Sequence, residues 1–112
     1  MVNITMTYSN NTLSLEVEGH AGQAEKGQDT VCASVSMLTY TIAQYIKWMY
    51  ENHQLKRNPL IELEEGNAQI VAKPKADYMA EGLHAFFVAS VGFDLLARSY
   101  PDNVTFNGLK EA

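Results

Sequence analysis

Val2, Ile4, Met6 and Tyr8 alternate with Asn3, Thr5, Thr7 and Ser9, the two-residue period of a strand with one buried face. Leu13, Leu15 and Val17 alternate in the same way with Ser14, Glu16 and Glu18. Asn10-Asn11 between them suits a tight hairpin turn, because asparagine tolerates positive φ. The period then changes. Val31, Val35, Leu38, Ile42, Tyr45, Ile46 and Met49 recur at helical spacing, which predicts a helix from about Thr30 to about His53 with this stripe toward the core. Asn58-Pro59 lies just beyond it.

Leu60 to Glu64 and Ala68 to Lys73 read as a second hairpin across Glu65-Gly66-Asn67, with Ile61 and Leu63 inward and Pro74 closing the second strand. Asp77 starts a second helix that reaches about Ser99, where Tyr100-Pro101 stops it. Leu83, Phe87, Val91 and Leu95 form one apolar row, with Phe86 and Phe93 beside it. Around Ala85 to Phe93 this helix is apolar on more than one side. A single sheet face leaves part of it uncovered, and self-association is the simplest remedy. Asn103 to Asn107 predicts a final strand with Val104 and Phe106 inward, followed by a loose tail from Gly108 to Ala112. The order ββαββαβ implies an α+β domain over residues 1–107, two helices packed on a mostly antiparallel sheet.

Composition narrows the function. In 112 residues there is room for one domain with a hydrophobic core. A formal net charge of −5 disfavours a general nucleic-acid binder, which needs a basic face to displace counterions, and makes a basic peptide or protein the more natural partner. The single cysteine excludes an internal disulfide framework, and neither a CxxC nor a Cys/His ligand set is present. No metal or cofactor is expected, and a reducing cytoplasm suits the chain. The start, MVNITMTYS, reads as a strand and not as a signal peptide. The run Ala85 to Phe93, bounded by Glu81 and Asp94, is too short to span a bilayer, so no membrane partner is expected.

Candidate chemistry lies at the first strand-to-helix crossing, GHAGQAEKGQDTVCASVS, residues 19–36. It holds the lone Cys32 and His20, separated by a loop punctuated by Gly19, Gly22 and Gly27. With Asp29 as N-cap, Thr30, Val31 and Cys32 become the first helical residues, whose N–H groups lack intrahelical partners. The positive end of a helix favours ionised sulfur, and the thiolate is the nucleophile. His20 is placed to serve as imidazolium partner or general base. Ser36, four residues after Cys32, shares its face and either hydrogen-bonds the sulfur or substrate or is simply a small packing residue. A lone helical cysteine is equally often a small buried apolar residue. The glycines predict that residues 21–28 close over the site only when peptide is bound. Tyr40, Tyr45, Trp48 and Tyr50 make the later part of the helix aromatic, as core or dimer interface. His53 and His84 read as surface residues.

Gly19-His20-Ala21, Asp29, Val31-Cys32-Ala33 and Ser36 match, in order and spacing, the pattern Gly-His-Ala, spacer, Asp-x-Val-Cys-Ala-x-x-Ser. In this the chain resembles the ribosomal-processing cysteine proteases called Prp, and the order of elements is similar over nearly the whole length. Ser34 is a departure, since alanine is frequent there. The resemblance implies that Cys32 is the nucleophile and His20 its base, with Asp29 and Ser36 supporting them and Gly19, Ala21, Gly22 and Gly27 forming the substrate-binding loop. It further implies a homodimer that removes the N-terminal extension of a ribosomal protein precursor, the large-subunit protein numbered twenty-seven. A noncatalytic peptide-binding or ribosome-assembly module of the same fold is the rival reading. A redox or metal site is poorly supported, because there is no resolving cysteine and two ligands are too few for closed zinc.

Overall fold

The structure, a computed structural model, describes the backbone of residues 1–19 and 28–112, and the side chains of these except Gln28 and Asp29. Its elements run β1 (Val2–Tyr8), β2 (Leu13–Glu18), α1 (Gln28–Glu51), β3 (Leu60–Glu64), β4 (Asn67–Ala72), a short 3-10 turn (Ala76–Tyr78), α2 (Met79–Ser99) and β5 (Val104–Glu111). Five strands make one sheet in the order β3-β4-β2-β1-β5. Every pairing is antiparallel except β1 with β5, which is parallel. This is the expected α+β architecture.

Alternation decides which face is buried. Val2, Ile4 and Met6 of β1, Leu13, Leu15 and Val17 of β2, Ile70 and Ala72 of β4, and Val104 and Phe106 of β5 join one core with residues of both helices. The intervening positions, such as Asn3, Thr5, Glu18, Asn67 and Thr105, are exposed. Both helices therefore cover the same side of the sheet. α1 contributes the predicted stripe, with Val31, Val35, Ile42, Ile46 and Met49 buried and Leu38 and Tyr45 packed against them. Phe86, Ala89 and Phe93 do the same for α2, and the Phe93 ring meets Phe106 of β5 at a centroid distance of 5.8 Å. Tyr45 stacks on Trp48 at 6.1 Å. Burial first, and the charge of Glu81 on α2 second, hold the Tyr45 hydroxyl above its ordinary pKa.

Several expectations are corrected. The β1–β2 hairpin forms, yet neither asparagine has positive φ, since His53 is the only such non-glycine among the described residues. The turn is instead closed by Ser9 N–H to the Thr12 carbonyl and by the Ser9 hydroxyl bonded to Asn11 Oδ1. α1 ends at Glu51, close to the expected end and before Asn58-Pro59; His53 (φ 59°) turns left-handed there, so that Gln54 N–H reaches the Met49 carbonyl and His53 N–H that of Tyr50. Buried Leu55 completes this cap. Leu63, expected inward, is 38 % exposed on β3, an edge strand of the sheet.

The last two corrections concern α2 and the C-terminal segment. The row Phe87, Val91 and Leu95 lies outward, while the row of Phe86 and Phe93 faces the sheet. The continuous helical stretch Ala76–Ser99 is also long and apolar enough to cross a bilayer by length and composition alone, a property that the short run at 85–93 conceals. Residues 108–111 are not loose: they continue β5, with Leu109, Lys110 and Glu111 opposite Met6, Thr7 and Tyr8 after a register shift. Gly108 (φ 87°) sits at that irregularity, so what reads locally as a breaker is a bulge within a strand.

Candidate active site

The crossing from β2 to α1 is built on two pieces of ordered backbone. Gly19 follows the last residue of β2, and its N–H donates to the Gly66 carbonyl in the β3–β4 turn at 2.9 Å. On the other side, where the described residues resume, Gln28 and Asp29 are already part of α1. Asp29 is thus a helical residue rather than the N-cap. Nothing between Gln28 and Thr30 breaks a helix, and all three are helical. A carboxylate in the first turn still complements the helix dipole.

Cys32 accordingly lies more than one turn into α1. Cys32 itself is a free, half-buried thiol. Val31 and Val35 on either side of it are buried in the core and anchor the turn, while Ala33 is exposed. The sulfur is therefore held on a rigid element at the boundary of core and solvent, the arrangement a nucleophile needs.

Ser36 is half-buried one turn further along, and its hydroxyl has no hydrogen-bond partner among the described residues. Ser34, the departure from the motif, donates its hydroxyl to the Thr30 carbonyl at 2.7 Å. It is spent on its own helix and leaves the sulfur alone. His20, Ala21, Gly22 and Gly27, together with the expected closing of the loop on peptide, lie outside the described residues. His53 and His84 are exposed, as expected. No group of metal-ligating side chains occurs among the described residues. Sequence reasoning passed over Gly66, which grips the start of the crossing from a different hairpin; only the tertiary pairing of β2 with β4 brings it there.

Comparison with known proteins decides the chemistry. The family model for cysteine protease Prp matches residues 1–105. The chain belongs to the Prp cysteine protease family. It is accordingly a cysteine protease, and Cys32 is its one cysteine. Solved structures share the Prp fold at low identity. SMU.848 from Streptococcus mutans is 23 % identical with a TM-score of 0.66, covering 100 % of this chain and 96 % of that one. The essential ribosomal processing protease Prp from S. aureus in complex with a substrate peptide is 17 % identical with a TM-score of 0.69, and each chain is covered fully, 100 %. The same protease with a covalently linked product peptide gives 18 % and 0.67. No curated protein matches.

Proposed function

We propose that this protein is a ribosomal-processing endopeptidase that removes the N-terminal extension of a large-subunit ribosomal protein, the one numbered twenty-seven, in the cytoplasm. The observation that carries the reading is the family match over residues 1–105 together with the Cys32 motif on the second turn of a core-anchored helix. The solved relative with a bound substrate peptide is itself described as a ribosomal processing protease. The acidic balance, −5, suits a basic ribosomal protein as substrate.

In the proposed mechanism the Cys32 thiolate attacks the scissile carbonyl, and His20, as imidazolium, protonates the leaving amine. Water activated by His20 then hydrolyses the thioester, releasing the acyl fragment as a carboxylate and regenerating the thiol. Backbone N–H groups near the start of α1 are the candidate donors to the tetrahedral oxyanion. The Ser36 hydroxyl, on the same face one turn away, is available to the sulfur or to substrate. Asp29 either stabilises the helix start or orients His20.

The protein acts as a homodimer in this reading. Support comes from the outward row on α2, where Phe87 is 56 % exposed and Val91 46 %, beside a groove of about 810 Å³ lined by Leu83, Phe87, Val91, Phe106 and Leu109. An apolar face of this kind, continuous with a groove, is uncommon on a lone soluble domain.

Incubation of the purified protein with an extended ribosomal-protein precursor, followed by intact mass, tests the assignment. Loss of one discrete N-terminal fragment is expected with the native enzyme and not with Cys32→Ser. Intact precursor with both, bound stably, would instead indicate a peptide-binding module.

A further inference from the structure

A protease that attacks through Cys32 has to lay a peptide across that residue, and the surface of α1 shows where part of the peptide fits. Side chains on a helix form rows at every fourth position, and Cys32 heads the row Cys32, Ser36, Tyr40. The positions beside this row toward the core, Val35 and Thr39, are buried, and the Thr39 hydroxyl donates to the Val35 carbonyl at 2.7 Å. Leu38, about 200° of helical turn from Ser36, packs against Gly92 of α2 on the other flank. The row is therefore closed on its core side and turned away from α2. Its outer margin is open, with Ala33 and Met37 exposed. Tyr40 ends the row with a side chain that is 50 % exposed. Among the described residues its hydroxyl has no hydrogen-bond partner and its ring no aromatic neighbour, whereas Tyr45 on the same helix stacks on Trp48.

We infer that Tyr40 is a specificity-determining residue of this protease: its ring receives an apolar side chain of the substrate, about four positions from the bond that Cys32 attacks. The inference rests on the proposed role of Cys32 as nucleophile and is independent of which protein is cut. Eight residues of helix advance about 12 Å, and an extended peptide covers that distance in about four residues. Alternate residues of an extended chain point the same way, so the residue at the sulfur and the one about four positions on both face α1. Side chains on a helix tilt toward its N-terminus, which is the direction of Ser36 and Cys32. A tyrosine offers a large, stiff contact area at little conformational cost, and here that area has no other occupant. The Ser36 hydroxyl, midway along the row, stands under the intervening peptide backbone.

Steady-state kinetics of the full-length protein test this on a peptide that the native enzyme cleaves, taken from the extended ribosomal-protein precursor or, if that is left intact, selected from a random peptide library. Each residue on both sides of the cut bond is replaced by alanine in turn. With the native enzyme, one apolar position about four residues from the bond should lower kcat/KM by about tenfold. With Tyr40→Ala the same replacement should cost less than about twofold, because the contact is already gone. Tyr40→Ala should itself lower kcat/KM on the unaltered peptide by about tenfold, mostly through KM, with an unchanged melting temperature. Tyr40→Phe should behave as the native enzyme. So should Tyr50→Ala, an equally exposed tyrosine about 27 Å along the helix from Cys32. Native kcat/KM in Tyr40→Ala on every peptide would overturn the inference, as would an equal loss on all of them or coupling confined to the residue next to the cut bond, while an inactive Cys32→Ser left the nucleophile in place. Native cleavage by Cys32→Ser would overturn the nucleophile, and the inference with it.

Discussion

Helices α1 and α2 cover the same face of one sheet, yet their outward sides differ. On α1 the exposed aromatics Tyr40, Trp48 and Tyr50 are interleaved with Thr41, Gln44, Lys47 and Glu51, so apolar and polar surface alternate. On α2 the exposed positions Phe87, Val88, Val91 and Leu95 form an unbroken apolar strip, with Asp94 and Arg98 paired beside it at 2.9 Å. That exposed pair adds little to stability. The contrast separates two tasks. α1 presents a half-buried thiol near its N-terminal end, whereas α2 is anchored by Phe86 and Phe93 and exposes a continuous apolar strip.

The largest effect expected from breaking this contrast is on activity alone. Cys32→Ser should reduce peptide cleavage by about 10³-fold or more while changing stability by about 1 kcal/mol or less, since the side chain is only half-buried. Peptide hydrolysis and thermal melting, measured on the same preparation, check both halves. The next effect is on stability alone. Phe93→Ala removes a ring that is 0 % exposed and tilted against Phe106, and should cost about 3 to 5 kcal/mol in denaturant titration. If the loss were below about 1 kcal/mol, the assignment of α2's core face would be wrong.

Third in size is an effect on association. Val91→Asp places a charge in the outward strip and should convert the proposed homodimer to monomer in sedimentation equilibrium, with the monomer's own stability changed by about 0.5 kcal/mol or less. An unchanged oligomeric state would remove the strip from the interface. Asp29→Asn should cost about 0.3 to 1 kcal/mol, the value of a carboxylate in a first helical turn, and a larger loss of kcat than of stability would show that it also orients His20.

The smallest effect concerns the outer face of the sheet. A hydrogen bond shared with Glu18, then the charge of Glu18, then slight burial, raise Glu16 above its ordinary 4.5. The folded state consequently holds this proton more tightly than the unfolded chain does. Its stabilising contribution is present below 4.5 and is lost as pH rises through the folded value. Glu18→Gln should bring the Glu16 titration back down, as followed by carboxyl NMR.

The two helices also mark where sequence reading succeeds and where it runs out. The strip from Val31 to Met49 has one apolar side, so periodicity alone identifies its buried face. α2 has two apolar sides, and spacing cannot choose between them; only the aromatic contact of Phe93 with Phe106 decides it. The Cys32 motif was legible because its residue types and spacing are local. The helical place of Asp29 was not, because a capping carboxylate and one inside the helix look alike in a sequence. Residues 108–111 were misread for a related reason. Gly108 signals a break locally, while the hydrogen bonds that keep the strand going come from β1, about a hundred residues earlier.

The central claim is that Cys32 forms a covalent bond to the acyl half of the substrate. Mixing enzyme with excess precursor peptide, quenching in acid within the first turnover and measuring intact mass tests it most directly. The account predicts an adduct equal to the N-terminal fragment minus one water, mapping to the peptide that contains Cys32 and absent from Cys32→Ser. Cleavage that proceeds in Cys32→Ser at the native rate, with no adduct on the native enzyme, would contradict it.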